Sequence, residues 1–303
     1  MSLGVGGRAQ VAALLTLLAG GSESAVPPLA LVTPEGISAV GDLPRGDMAR
    51  TATWRPGASG LDWTEVELRG SGEARRIRVI TVRLDPARFR LSLENGMSPG
   101  GYQHVWTLDR APADAALALN AGMFAGDGAW GWVVHDGVEY REPRRGPLAA
   151  AVVIDSLGAV RLVDDAGVDA LRSAAGSSGV REAFQSYPVL LDERGELPAM
   201  LTIPGAEINL QHRDARLALG VNADGHLIIA LTRFDALGPS FGSVPFGLTL
   251  PETARLMRAL GAERAVALDG GISGQLLLRD AAGETHRWPG LRAVPLGLSA
   301  VSR

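Results

Sequence analysis

One apolar stretch near the C-terminal end of the chain delivers a single carboxylate onto a glycine turn. Asp269 directly follows the apolar residues 265–268 and precedes Gly270 and Gly271. Two glycines let the backbone approach a ligand closely, and the end of a strand directs a side chain toward a crevice. A carboxylate in that position can activate water or stabilise a developing positive charge. Asp269 is therefore the first candidate catalytic residue.

A second apolar stretch ends in a carboxamide. Asn120 completes it and is followed closely by Gly122 and Phe124. The carboxamide offers both a donor and an acceptor to a ligand hydroxyl or to a phosphate oxygen. A turn-capping asparagine is the structural alternative for the same pattern.

Two shorter signals accompany these residues. Gln185 and Ser186 lead into a strand that has Pro188 at its start, an arrangement that a loop-to-strand junction also explains. Further on, Arg216 begins an apolar strand, and its planar guanidinium is well suited to binding phosphate.

Strand alternation places Arg216 on one face together with Ala218 and Gly220, whose small side chains would leave room for a ligand. The alternative is a solvated sheet edge in which Arg213 pairs with Asp214.

The elements that position these residues are predicted to be mostly strands. Alternating apolar and polar residues predict half-buried antiparallel strands, and Asp-Gly pairs predict hairpin turns. Residues 249–252 form a capping box ahead of a helix. The strand segments cover residues 66–68, 77–84, 89–93, 217–221 and 227–231, the turns residues 136–137 and 222–225, and the helices residues 168–174 and 250–260. We expect an α+β fold with a mixed, largely antiparallel sheet, a few packed helices and a single main domain.

Composition excludes several classes of function. The 303 residues carry a net charge of −4 with no basic stripe, which argues against nucleic acid as a partner. The chain has no cysteine and no lysine, so cysteine nucleophiles, cysteine zinc sites, Schiff-base lysines and phosphate-loop lysines are excluded. The five histidines show no metal-ligand spacing. We therefore predict no metal site and no cofactor.

The sequence of the N-terminal segment predicts that the protein is exported. Residues 1–25 combine Arg8, a short apolar run and a small-residue end, which is typical of a secretory signal peptide, although an ordinary helix is the alternative. The run is shorter than the roughly 20 apolar residues that cross a bilayer, so no stable membrane span is predicted. Residues 26–60 are rich in proline and glycine turns and predict a leader or linker, and the main domain covers residues 61–303. Without a signal peptide the protein would be cytoplasmic.

Taken in order, four segments of the chain resemble the phosphodiester glycosidase family, and its bacterial members most closely. They are residues 120–124, residues 185–188, residues 216–221 with Asp224-Gly225, and residues 268–273. The resemblance extends from about residue 61 to residue 298. It implies hydrolysis of the bond between the anomeric carbon of a sugar and a phosphodiester oxygen, with a small-molecule or glycan phosphodiester as substrate.

The resemblance also implies roles for individual residues. Asp269 would activate water or stabilise the oxocarbenium-like centre, Arg216 would hold the phosphate, and Asn120 would orient a sugar hydroxyl. The remaining substrate-binding residues would be Gly122, Phe124, Gln185, Ser186, His212, Gly270, Gly271 and Ser273. Within this set the two glycine amides and the Ser273 hydroxyl would bind phosphate oxygens, and His212 is a possible proton donor.

Three positions depart from the family pattern. Leu217 stands where threonine is usual after the arginine, Tyr187 replaces a glycine before the proline, and Ile272 replaces the third glycine after the aspartate. Two functions consequently remain open, an active hydrolase and an exported carbohydrate-binding or cell-envelope protein that keeps the fold without the activity.

Overall fold

The computed structural model describes most of the chain beyond its N-terminal segment. The described residues are 29–33, 36–95, 97–98, 101–102, 106–126, 128–174, 179–203, 208–234 and 246–303. The signal peptide expected over residues 1–25 lies outside them. Among the described residues, no helix is both long and apolar enough to cross a membrane.

Strands are the main regular element of the described chain, and the α-helices are few. They are β1 (Ala30–Thr33), β2 (Gly36–Ala39), β3 (Arg55–Pro56), β4 (Leu61–Arg69), β5 (Ile77–Leu84), β6 (Phe89–Asn95), β7 (Met97–Ser98), β8 (Gly101–Tyr102), β9 (Ala115–Asn120), β10 (Phe124–Ala125), β11 (Gly128–Ala129), β12 (Val133–His135), β13 (Val138–Arg141), β14 (Ala150–Asp155), β15 (Val160–Val163), β16 (Val180–Ser186), β17 (Val189–Leu191), β18 (Leu217–Val221), β19 (Leu227–Phe234), β20 (Arg264–Leu268), β21 (Leu276–Arg279), β22 (Thr285–Trp288) and β23 (Leu296–Ser302). The α-helices are α1 (Asp47–Thr51), α2 (Asp165–Ser173) and α3 (Leu250–Ala259).

The strands form three main sheets. The large sheet has the order β17-β20-β18-β19-β5-β4-β1-β2, with β3 also paired to β4. The second sheet has the order β13-β12-β16-β14-β15, and the third has the order β22-β21-β9-β23-β6. Two short hairpins, β7-β8 and β10-β11, complete the pairings. Every pairing among the described strands is antiparallel.

Three expectations about the architecture need correction. The class is mainly β rather than α+β, and the sheets of the described residues are antiparallel rather than mixed. The part of residues 26–60 that is described is not a loose linker, because it holds β1, β2, β3 and α1, and β1 pairs with β4 of the large sheet. Short strands with turn-forming residues gave no periodic signal, and the pairing that orders them is tertiary.

The two faces of the large sheet pack against different partners. Leu217 and Leu219 lie in a core shared with strands of the second and third sheets, whereas Ala218 lies in a core shared with α3. The predicted alternation along β18 is therefore confirmed. A Cβ at Gly220 would lie 3.1 Å from the Cε of Met257 on α3. The face with small residues is thus covered by the helix and is not open to a ligand.

Local signals account for helices α2 and α3. The capping box predicted for α3 is present, because Thr249 accepts from the Glu252 amide and the Glu252 carboxylate accepts from the Thr249 amide. Helix α2 begins earlier than predicted, because the Asp164 side chain accepts from the Gly167 amide at 2.8 Å and caps it there.

Candidate active site

The carboxyl ends of two strands from different sheets meet at Asp269. It follows β20 of the large sheet and begins a segment, residues 269–275, that we call the Asp269 loop. The Asp269 amide donates to the carbonyl oxygen of Gly122 at 2.9 Å, just beyond the end of β9. Gly122 has a φ of +70°, and a Cβ there would lie 2.9 Å from the Gln185 carbonyl oxygen. Glycine is required at this close approach of β9 and β16.

Asn120 ties β9 to both ends of the Asp269 loop. Its Nδ2 donates to the Asp269 carbonyl oxygen at 2.8 Å, and its Oδ1 accepts from the Gln275 amide at 2.9 Å. The side chain is only 1% exposed. Both contacts of the Asn120 carboxamide are to the backbone of the Asp269 loop, whereas the resemblance implied a contact with a sugar hydroxyl.

Gln185 and Ser186 lie close to this junction but bond to backbone groups. Gln185 Oε1 accepts from the amides of Trp132 at 3.0 Å and Arg144 at 2.8 Å, and its Nε2 donates to the Arg144 carbonyl oxygen at 2.7 Å. Ser186 Oγ donates to the Ala267 carbonyl oxygen at 2.5 Å. Both side chains are buried. They hold β16 against its neighbours, which differs from the substrate contacts predicted for them.

The Asp269 carboxyl group is held in an environment that disfavours its ionised form. Burial raises its pKa to about 6, and the negative charge of Asp214 adds to the rise, while a hydrogen bond from the Ser273 hydroxyl and the positive charge of Arg292 oppose it. Asp269 Oδ2 is buried and has no hydrogen-bond partner among the described residues. The group can therefore exchange a proton near neutral pH and has one oxygen available for a ligand or water.

The glycine turn packs against protein backbone. Gly271, with a φ of +55°, donates its amide to the Ala215 carbonyl oxygen at 2.7 Å, and a Cβ at Gly270 would lie 2.3 Å from that same oxygen. The Ser273 hydroxyl lowers the pKa of the Asp269 carboxyl group. The Gly271 amide thus already has a backbone partner, whereas the resemblance implied that it would bind a phosphate oxygen.

Arg216 is anchored largely by carbonyl groups. Its Nε donates to the Leu248 carbonyl oxygen at 2.8 Å, and its Nη2 donates to the His212 carbonyl oxygen at 2.7 Å. Nη1 makes no hydrogen bond within the described part of the chain. Burial lowers the pKa of Arg216, and the charge of Asp214 opposes that shift. The His212 side chain is 60% exposed, and its Nε2 lies 3.7 Å from Asp214 Oδ2.

Asp214 is a site residue that sequence reasoning treated as a partner of Arg213. Arg213 instead forms a paired ion contact with Glu252, at 2.6 and 2.8 Å. A Cβ at Gly271 would lie 3.0 and 3.2 Å from the two Asp214 carboxylate oxygens. Burial raises the pKa of Asp214, while the charge of Arg216 opposes the rise. The clue available from the sequence was a carboxylate directly before the strand that carries Arg216.

Arg292 adds a positive charge to the site, and the sequence analysis did not identify this residue. Its guanidinium carbon lies 4.7 Å from the centroid of the Phe124 ring, and its charge acts on Asp269. The side chain is exposed, and among the described residues its guanidinium forms no hydrogen bond or ion pair. The Leu291 amide donates to the Ile272 carbonyl oxygen at 2.7 Å, which holds this segment beside the Asp269 loop. The Phe124 ring, which was predicted to contact the substrate, packs against the Arg292 guanidinium.

A buried arginine supports the Asp269 loop from the large sheet. Arg233 on β19 is 3% exposed, and its Nη2 donates to the Gly274 carbonyl oxygen at 2.6 Å, with longer contacts to the carbonyl oxygens of Pro289 and Trp288. Burial lowers its pKa to about 10, and the nearby charge of Arg78 adds to the effect. Arg233 therefore fixes the loop that carries Asp269 to the segment that leads to Arg292.

Two aromatic rings line the region next to Gly122. The ring centroids of Trp130 and Tyr187 lie 5.9 Å apart, and both side chains are partly exposed. The Trp130 amide donates to the Met123 carbonyl oxygen at 2.7 Å, which brings the indole close to the end of β9. The peptide bond between Tyr187 and Pro188 is cis. Aromatic faces of this kind suit the apolar face of a sugar ring.

Potential metal-ligating side chains occur in two places within the described residues. Each cluster has its ligand atoms within 4.8 Å of one another, and the members are His135, Asp136 and Glu182 in one and Asp280, Glu284 and His286 in the other. Neither cluster includes Asp269 or Asp214. In each, a histidine nitrogen already contacts a carboxylate, at 3.0 Å in the first and 2.9 Å in the second.

Comparison with known proteins places this chain in a family. The family model described as phosphodiester glycosidase matches residues 113–299, which include Asn120, Asp214, Asp269 and Arg292. Among curated proteins, none matches the chain.

Two solved structures share the fold. One is the catalytic domain of zebrafish N-acetylglucosamine-1-phosphodiester alpha-N-acetylglucosaminidase, auto-inhibited by its pro-peptide, with a TM-score of 0.60 and 18% identity over 83% of this chain and 88% of that one. The other is a hypothetical protein from Synechocystis, with a TM-score of 0.51 and 18% identity over 92% of this chain and 68% of that one. At this identity the likeness concerns the fold. Because the family model covers more than half of the chain, the protein belongs to the phosphodiester glycosidase family.

Proposed function

We propose that the protein is a hydrolase that cleaves the glycosidic bond of a sugar-1-phosphodiester and releases a free sugar and a phosphomonoester. Family membership supports the reaction class. The observation that carries the proposal is the largely buried Asp269 carboxylate, whose buried Oδ2 has no partner among the described residues and which lies within the electrostatic reach of the exposed Arg292.

Asp269 acts as the general base in this proposal. Its ionised carboxylate takes a proton from water as the water oxygen bonds to the anomeric carbon. The bond between that carbon and the phosphate oxygen breaks, and its electron pair leaves with the phosphomonoester. Since phosphate is already a good leaving group, the departing oxygen needs no second carboxylic acid of the kind that ordinary glycosides require. A pKa of about 6 leaves Asp269 mostly ionised at neutral pH and still basic.

The phosphate is bound by arginine. Arg292 offers an exposed guanidinium held over Phe124, and Arg216 offers its Nη1, the nitrogen that makes no hydrogen bond within the described residues. Charge-assisted hydrogen bonds from guanidinium groups to phosphate oxygens strengthen as negative charge develops on the leaving group. The sugar ring packs against Trp130 and Tyr187.

The binding protein without activity is the second candidate, and its support was the three departures from the family pattern. Leu217 points into the core shared by the sheets, so it does not reach the Asp269 carboxylate. Ile272 is 42% exposed, and Tyr187 packs beside Trp130. Asp269 and Arg292 remain in place beside them, which favours the hydrolase.

Export is part of the same proposal. The apolar run within residues 1–25, ended by small residues, supports processing of a signal peptide. Expression of the full chain with determination of the mature N-terminus tests it. A mature protein that still begins at Met1 in the soluble cytoplasmic fraction would contradict export.

Release of free sugar from a panel of sugar-1-phosphodiesters tests the hydrolase. We expect wild-type turnover, and we expect Asp269→Asn to lower kcat by about 10²-fold or more, the usual contribution of a general base. Asp62→Asn is the matched control, because its carboxylate forms a partly exposed ion pair with Arg83. Full turnover by Asp269→Asn would contradict the role of Asp269. Saccharide binding without sugar release by the wild type would favour the binding protein.

A further inference from the structure

The Asp214 carboxylate is fixed in place by its backbone. Asp214 forms an isolated bridge with Leu248, in which its amide donates at 3.2 Å and its carbonyl oxygen accepts at 2.9 Å. The side chain takes no part in this bridge. It lies against Gly271, two residues beyond Asp269, where a Cβ would be 3.0 and 3.2 Å from its oxygens. The backbone therefore presents the carboxylate to the Asp269 loop.

Each of the two carboxylates keeps one buried oxygen without a partner. Asp214 Oδ1 and Asp269 Oδ2 are both buried and accept no hydrogen bond from the described residues. The contact between Asp214 Oδ2 and His212 Nε2, at 3.7 Å, is too long for a hydrogen bond. Unpartnered buried carboxylate oxygens are rare in folded proteins because desolvation is costly, and one beside the Asp269 loop together with one on Asp269 itself points to a functional site.

We propose that Asp214 is a second, positioning carboxylate of this site, which acts on the reaction through Asp269 rather than by touching the substrate. Its negative charge favours uptake of the water proton by Asp269 as the water oxygen bonds to the anomeric carbon and the phosphomonoester leaves with the electron pair of the broken bond. The proton then passes from Asp269 to solvent. This kinetic role rests on the proposed function, whereas the coupling of the two carboxylates does not.

The charges around the pair agree with this role. Burial and the charge of Asp214 raise the pKa of Asp269, against the opposing Ser273 hydroxyl and Arg292. Asp214 itself is faced by Arg216, by the Ala215 amide and by His212. Because the charge of Asp214 raises the pKa of Asp269, removing that charge should lower it.

Titration of the carboxyl groups tests the coupling without any substrate. Protein with ¹³C-labelled aspartate carboxyls is titrated by NMR, with the Asp269 signal assigned from its loss in Asp269→Asn. We expect a midpoint near 6 in the wild type and a lower midpoint in Asp214→Asn. Asp214→Ser, which also removes the charge, must move the midpoint in the same direction, and Asp62→Asn must leave it unchanged.

The pH profile of kcat/KM provides the kinetic readout. In Asp214→Asn we expect the acid limb to move to lower pH together with the Asp269 midpoint, and we expect kcat on the plateau to fall because Asp269 is a weaker base. An Asp269 midpoint that is unchanged or higher in both Asp214 variants, with wild-type turnover present, would overturn this inference alone. A lowered midpoint with no sugar released by the wild type would refute the hydrolase and, with it, the kinetic role of Asp214.

Discussion

Replacing Asp269 by asparagine should make the protein more stable above neutral pH. Because the folded protein holds the Asp269 carboxyl at a pKa of about 6, and an unfolded chain holds it near 3.8, the folded state binds this proton more tightly. The free energy of unfolding therefore falls as the pH rises from about 4 to about 6, and the loss is complete above that window. Asparagine occupies the same volume and cannot ionise, so the variant avoids the loss.

The size of the effect follows from the pKa. The pKa of Asp269 is about two pH units higher in the folded protein than in the unfolded chain. At about 1.36 kcal/mol per unit, ionisation of this carboxyl group lowers the free energy of unfolding by about 3 kcal/mol. Integrated over proton binding, the advantage of Asp269→Asn grows from about 1 kcal/mol at pH 4.5 to about 3 kcal/mol at pH 8. The same substitution should lower kcat by about 10²-fold or more.

Urea unfolding followed by tryptophan fluorescence measures this advantage, since the chain has 6 tryptophans. Asp280→Asn is a control of opposite sign, because the His286 hydrogen bond holds the pKa of Asp280 below its usual range. That ionised carboxylate stabilises the fold above its unfolded pKa, and the contribution is lost as the pH falls, so Asp280→Asn should be less stable than the wild type at pH 8. An advantage of Asp269→Asn that does not change with pH, or a variant less stable at pH 8, would refute the reasoning.

Three further variants test the framework of the site. Asn120→Ala leaves two buried backbone groups without partners, so it should lower the free energy of unfolding by about 2–6 kcal/mol, measured by urea unfolding. Arg292→Ala should raise KM for a sugar phosphodiester by about 10- to 100-fold in steady-state kinetics, because a charged hydrogen bond to phosphate is lost. Gly271→Ala places a Cβ at a left-handed φ and against the Asp214 carboxylate, and should lower stability by about 1–2 kcal/mol in the same unfolding assay.

Matched controls separate these effects from general damage. Asn209→Ala removes an exposed side chain whose Oδ1 accepts from a single nearby amide, and it should change stability by no more than about 0.5 kcal/mol. Arg287→Ala removes an exposed arginine paired with Asp109 and should leave KM unchanged. An Asn120→Ala protein with wild-type stability but weakened sugar binding would show that Asn120 contacts the substrate. An unchanged KM in Arg292→Ala would remove that arginine from the phosphate site.

The elements that the sequence predicted correctly are those with a local residue pattern. Strands β4, β5 and β6, the turns before β13 and β19, and the capping box of α3 depend on residues a few positions apart, which a sequence displays directly. The order of strands within the sheets depends on pairings between distant segments. Strands β1 to β3 were missed for this reason, since nothing in their own residues shows that β1 and β3 pair with β4 or that β2 pairs with β1.

The site was predictable in location and less so in function. Asp269, Asn120, Gln185 and Ser186 were singled out from the sequence, and the fold brings them to one junction. The packing of β9, β16 and β20 decides which of these side chains bond to backbone groups. The sequence does not show that packing. Arg292 was missed because it lies in a loop with no motif of its own.

Because β23 is the last strand of the chain and lies inside the third sheet, that sheet cannot be completed until the C-terminal end has been synthesised. This strand lies between β9 and β6, and its Ser299 bonds to Glu94, 205 residues earlier in the chain. At a synthesis rate of about 5–20 residues per second, the facing edges of β6 and β9 wait about 10–40 s for the strand that joins them. During that interval the nascent chain exposes two unpaired strand edges, which are prone to pair with other chains. The site at the end of β9 is therefore assembled late, and the yield of active protein should depend on chaperones that shield these edges until β23 has left the ribosome.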